Sequence, residues 1–75
     1  MRISFDPAKR AATLRMRGLD FADAAAVFEG PTFTFPDERF DYPEDITAGL
    51  LAERMVIVVW TPAEDGRRVI DEEGQ

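Results

Sequence analysis

Ile46-Thr47-Ala48-Gly49-Leu50-Leu51-Ala52, a polar break at Glu53-Arg54, then Met55-Val56-Ile57-Val58-Val59-Trp60-Thr61 is the stretch that decides the fold. Each arm has the length of a strand, and two residues are enough to reverse an antiparallel chain, so the pair reads as a β-hairpin. The second arm is apolar at every position from Met55 to Trp60. Side chains alternate across a strand, so an unbroken apolar run predicts a central strand covered on both faces. Downstream, Pro62 to Gly66 supplies a turn and Arg67 to Ile70 a last short strand, leaving 71–75 as a polar, frayed tail.

Upstream of the hairpin, Pro36 to Asp45 is a polar loop rich in acids, and Thr32-Phe33-Thr34-Phe35 alternates like a strand. Before that, Phe21, Ala24, Ala25 and Phe28 recur at i, i+3, i+4 and i+7, the apolar stripe of a helix that faces a core. Asp20 caps this helix, with Asp23 at the capping-box position, and Gly30-Pro31 stops it. An earlier helix opens at Asp6-Pro7 and closes at Gly18, with Ala8, Ala11, Ala12 and Leu14 as its apolar surface and Lys9, Thr13 and Arg17 at steps of four. Met1, Ile3 and Phe5 alternate with polar residues as a first, half-buried strand. The predicted order is β-α-α-β-β-β-β. This is an α+β fold of one domain over residues 1–75, with two helices packed on one face of a largely antiparallel sheet.

Composition narrows the chemistry. Hydrophobic residues make up 45% and charged residues 32%, which fits a folded globular domain. Without cysteine there are no disulfides and no thiolate ligands; without histidine the commonest general base and metal ligand is missing. Typical zinc sites and Ser/His or Cys/His nucleophile pairs therefore cannot be built. The net charge is −6, unevenly spread. Residues 1–18 carry five basic groups against one acid, and the remainder four arginines against fourteen acids. An acidic body disfavours direct DNA binding, and only the basic N-terminal helix offers phosphate a local exception. No leader is visible and the longest apolar run, Met55 to Trp60, is too short to cross a bilayer, so cytoplasm is the expected compartment and no membrane is expected as a partner.

With these elements placed, Asp6-Pro7-Ala8-Lys9, then Leu14-Arg15-Met16-Arg17-Gly18-Leu19-Asp20-Phe21, then Ala24-Ala25-Ala26-Val27-Phe28 resembles the BrnT family, small ribonuclease toxins of bacterial type II toxin–antitoxin systems. Phe35-Pro36-Asp37-Glu38-Arg39, Gly49 and Val56-Ile57-Val58-Val59-Trp60-Thr61 fit the later strands of that family, and the likeness covers about residues 3–70. The resemblance implies a RelE-like fold, RNA cleavage without a metal or cofactor, and neutralisation by an antitoxin with a ribbon-helix-helix DNA-binding domain. The chain departs from the pattern where chemistry is expected. The family's Lys-His-Gly is Met16-Arg17-Gly18, its Glu-x-Arg is reduced to Glu44-Asp45, and its closing Arg-Ile-Ile-Ser-Ala-Arg becomes Arg68-Val69-Ile70-Asp71-Glu72-Glu73. The helix that usually follows is absent, a shortened C-terminus by the family's measure.

Arg17, Arg39 and Arg68 are accordingly the candidate catalytic cations, each with a surface ion pair as its ordinary alternative. Lys9, Arg10 and Arg17 are the candidate RNA-binding residues, against a plain solvated helix face. The acids Asp37, Glu38, Asp41, Glu44 and Asp45 lack the glycine and ligand order of a calcium loop, so no metal site is expected. Trp60 and Tyr42 are able to stack on bases, although Trp60 sits in the most apolar strand and reads as core. The leading expectation is a toxin-family protein with its ribonuclease activity impaired or lost and its antitoxin binding kept. An active ribonuclease using Arg17, Arg39 and Arg68 is the second, and an unrelated acidic protein-interaction adaptor sharing the fold is the third.

Overall fold

Residues 2–39, 41 and 43–74 are described by the computed structural model, so Met1 and Tyr42 of the readings above lie outside the described residues. The elements follow the expected order: β1 (Arg2–Phe5), α1 (Pro7–Arg17), a 3₁₀ turn (Phe21–Asp23) running into α2 (Ala24–Glu29), β2 (Phe33–Pro36), β3 (Asp45–Leu51), β4 (Arg54–Ala63) and β5 (Gly66–Gly74). The Asp6 carboxylate accepts from the Ala8 N–H at 2.9 Å, Pro7 needs no partner at the first helical position, and Gly18 closes α1 at φ 70. Asp20 caps the 3₁₀ turn by accepting from the Ala22 N–H. Asp23 makes no side-chain cap, so the expected capping box does not form.

That tight turn changes which residues reach the core. A 3₁₀ segment has three residues per turn, so Phe21, Ala24 and Val27 fall in line, and all three are fully buried. Ala25 and Phe28, expected to share the stripe, are only half-buried.

The sheet order is β1-β5-β4-β3-β2, with β1 parallel to β5 and every other pair antiparallel. Ala52 and Glu53, at φ 51 and 65, make the two-residue reversal between β3 and β4. Val56, Val58 and Trp60 of β4 point to the helices and join Leu19, Phe21, Ala24, Val27 and Val69 in the core. The Trp60 Nε1–H donates to Thr47 Oγ1 at 2.8 Å, which satisfies the indole where it is buried. Arg67 stacks over both Phe28 and Trp60, 4.2 and 4.4 Å from the ring centroids, and closes that end of the core.

Two expectations need correction. β4 is not covered on both faces: Ile57 and Val59 are half-buried on a face that carries no helix. Nor do residues 71–74 form a frayed tail, because β5 continues through them, with Glu72 opposite Val58 and Gly74 opposite Val56. The long β4 supplies the ladder partner that the acidic sequence of this segment did not advertise. Among the described residues no helix is long and apolar enough to cross a membrane.

Candidate functional site

A β-bulge in β5 sets the geometry of the open face. Trp60 pairs with Val69 and Val59 with Asp71, so Ile70 is the extra residue. Beyond it the alternation inverts. Asp71 and Glu73 share the open face with Val59 and Ile57, while Glu72, opposite Val58, turns into the core and is fully buried. On the open face a shallow depression has an apolar lining of Phe35, Ile46, Ile57 and Val59 and a charged lining that includes Arg39, Asp71 and Glu73.

Arg17, at the end of α1, grips the β5 side of this depression from outside it. Its Nη1 donates to Asp71 Oδ1 and to the Glu72 carbonyl, both at 2.8 Å, and its Nη2 lies 3.6 Å from Glu73 Oε1. Arg39, from the β2–β3 loop, lines the depression with Asp71 and Glu73 and feels the Glu73 charge. Its guanidinium makes a two-pronged pair with Asp37, at 2.8 and 2.7 Å, and the Asp37 carboxylate also accepts from the Arg39 backbone N–H. Those hydrogen bonds hold the Asp37 carboxyl below the usual carboxylate range, although burial opposes them. Arg68 lies elsewhere on β5, opposite Thr61 and Ser4, outside the depression. The fold thus brings Arg17 and Arg39 to opposite sides of Glu73 and leaves Arg68 apart.

Of the other candidates, Lys9 stands at a shallow groove between α1 and β5 with Ala12, Thr13, Ile70 and Asp71. Arg10 grips Asp20 through two hydrogen bonds of 2.6 and 2.9 Å and lies over the Phe5 ring. The Arg10 hydrogen bond, with the Ala22 N–H, draws the Asp20 carboxyl down to about 2. Among the described residues no group of three acids is placed to hold a metal ion. Arg54 was not a candidate from the sequence. The hairpin brings it beside Arg17, Glu73 and Gly74 around a second depression, with its guanidinium against the Gly74 α-carbon. Nothing local in Glu53-Arg54 signals this, because it depends on the register of three strands.

Chemically, the depression combines an apolar floor with neighbouring cations, Arg17 and Arg39, that are already neutralised. A ribonuclease lowers its barrier by aiming fixed positive charge at a phosphate whose negative charge grows in the transition state. Here Arg17 meets two carboxylates and a carbonyl, and Arg39 a buried aspartate. Glu73 stands beside Arg17 and on the same face as Arg39.

A search of curated proteins finds no significant match to this chain. Residues 5–71, nearly the whole of it, match the family model described as the ribonuclease toxin BrnT of type II toxin–antitoxin systems. That match shows that the chain belongs to the BrnT toxin family.

Proposed function

We propose that this protein is a type II toxin-family member whose ribonuclease activity is impaired or lost and whose retained role is to bind its antitoxin in the cytoplasm. The observation that carries the reading is the placement of Asp71 and Glu73 on Arg17, with Glu73 on the same open face as Arg39. An RNA phosphate entering there meets carboxylates before it meets a free guanidinium, and like charges brought that close repel.

Antitoxin binding is supported by the other half of the same surface. Phe33, Phe35, Leu50 and Met55 are exposed large apolar side chains, continuous across β2, β3 and the start of β4 on the open face. Apolar area of this kind on a small protein is a mark of an interaction site. Acids border it, so the complementary partner carries basic residues among apolar ones. An antitoxin with a ribbon-helix-helix DNA-binding domain is the partner the family suggests, and that domain, rather than this acidic chain, would meet DNA.

The test is direct. Purified protein is expected not to cleave RNA above a mock preparation, and its expression is expected not to arrest growth. The second reading, an active ribonuclease, draws on one observation: the exposed Arg68 side chain makes no ion pair or hydrogen bond with a described residue. Robust cleavage abolished by Arg68→Ala would establish that reading instead. Cleavage indifferent to Arg17→Ala, Arg39→Ala and Arg68→Ala together would point to a contaminating nuclease.

A further inference from the structure

Glu72 is the one described side chain that is both ionisable and fully buried with neither carboxylate oxygen hydrogen-bonded. Its surroundings offer no compensation. From its own strand it has Asp71 and Glu73 as neighbours, and β4 contributes the apolar Val58. The 3₁₀ turn and its cap contribute Asp23 and Asp20, whose charges also act on it. The two cations of α1 on this side are committed elsewhere: Arg10 to Asp20, and Arg17 to Asp71, Glu73 and the Glu72 carbonyl rather than its carboxylate. A carboxylate cannot remain ionised in such a place at low cost, so it must either hold a proton or leave.

Leaving is structurally easy for this segment. β1 pairs with β5 only from Gly66 to Val69, so beyond the bulge β5 has a single strand neighbour, β4. Its outer edge meets no strand among the described residues; there α1 lies beside it and Arg17 bonds to it. Segments with few ladder bonds and one covered edge open at far lower free energy than the whole domain.

We propose that the end of β5, residues 70–74, is a proton-operated latch on Arg17: it is closed while Glu72 carries a proton and opens when Glu72 loses it. All three acceptors of Arg17 lie on the moving segment, so one event frees the guanidinium and removes Asp71 and Glu73 from the open face. The direction follows from the closed state. Burial first, then Asp23, Asp20 and Asp71, pushes the Glu72 carboxyl up to about 7 from an ordinary value of 4.5. A proton held more tightly in the closed state favours closure in acid and opening as pH rises through 7. Between pH 5 and 8 the open fraction rises on the order of 50-fold by linkage. The latch is independent of whether the protein cleaves RNA.

Amide hydrogen exchange of the whole chain, corrected for the intrinsic pH dependence of exchange, reads the latch directly. Protection at residues 70–73 is expected to fall by tens of fold from pH 5 to 8, while protection at Thr47 and Val58 stays level. In Glu72→Gln the fall should vanish. In Asp23→Asn the fall should be smaller and should level off at lower pH, since removing a repelling charge brings the closed-state Glu72 value down towards its ordinary one. A carbon-detected titration of Glu72 in the unaltered protein supplies a readout that needs no variant, with a midpoint near 7 expected. A midpoint near 4.5, a pH-independent protection of 70–73, or an unchanged pH dependence in Glu72→Gln would each overturn the proposal.

Discussion

Val58→Ala should destabilise this protein more than Ile57→Ala, although it deletes less. Val58 is fully buried between the sheet and the helices, and its neighbour Ile57 is half-buried on the face without a helix. Removing two buried carbons at about 0.8 kcal/mol each gives roughly 1.6 kcal/mol of lost transfer energy. The cavity left under Phe21 and Val27 cannot collapse fully, which raises the total to about 2–3 kcal/mol. Ile57→Ala removes three carbons, but they are only partly withdrawn from water and no layer lies above them to leave a void. About 1 kcal/mol is the corresponding loss. For a domain of this size 1 kcal/mol moves Tm by roughly 4–8 °C, so the two variants should be separated by several degrees at least. Urea melts followed by the fluorescence of the single tryptophan, Trp60, which sits in the core, measure both. A loss at Ile57 equal to or larger than that at Val58 would refute the one-sided sheet and the open face built on it.

Other perturbations test other parts of the argument. Gly49→Ala should cost about 1–3 kcal/mol by overpacking, since its Cβ would lie 2.6 Å from Val27 Cγ1 and 3.1 Å from Thr32 Cγ2; calorimetry that finds it neutral removes the close approach of β3 to α2. Asp20→Ala should cost about 1–2 kcal/mol through the lost cap and the lost Arg10 clamp. Because the Asp20 carboxyl is drawn down to about 2, its contribution is full above its ordinary value near 4 and disappears as pH falls through 2, so the variant's deficit should shrink in acid melts. Association with a basic antitoxin should slow as salt rises; stopped-flow rates that ignore salt would separate recognition from the acidic surface.

Much of the fold was legible because short-range chemistry fixes it. Asp6-Pro7 and Gly18 mark the ends of α1 by their own hydrogen bonds and φ preference, and the Met55–Trp60 run marks β4 by composition. Val27 was missed for a definite reason: the 3₁₀ turn before α2 changes the period from 3.6 to 3, and no residue in Phe21-Ala22-Asp23 announces that choice. The acids of Asp71-Glu72-Glu73 hid a strand because their pairing is supplied by β4 and by Arg17, which lies more than fifty positions away in the sequence. The bulge at Ile70 then decided which of the three acids is buried, and it cannot be read from alternation. Membership of the BrnT family sets aside the unrelated adaptor. Arg17 and Arg39 were found as cations, but their neutralisation is a property of the folded chain alone.

β2 is the last strand of the sheet, and all four of its residues are exposed. Phe33, at 70% exposure, and Phe35 stand side by side on it with ring centroids 5.9 Å apart. Its outer backbone edge meets no other strand among the described residues, and Pro36 guards only its end. Such an edge is a template for pairing with another copy of itself, with phenylalanines ready to interleave. For a protein supplied together with a partner this makes stoichiometry a matter of colloidal stability. Chain made in excess should be limited by self-association rather than by failure to fold, and light scattering that rises with concentration, and falls on Phe33→Lys, is the expected sign.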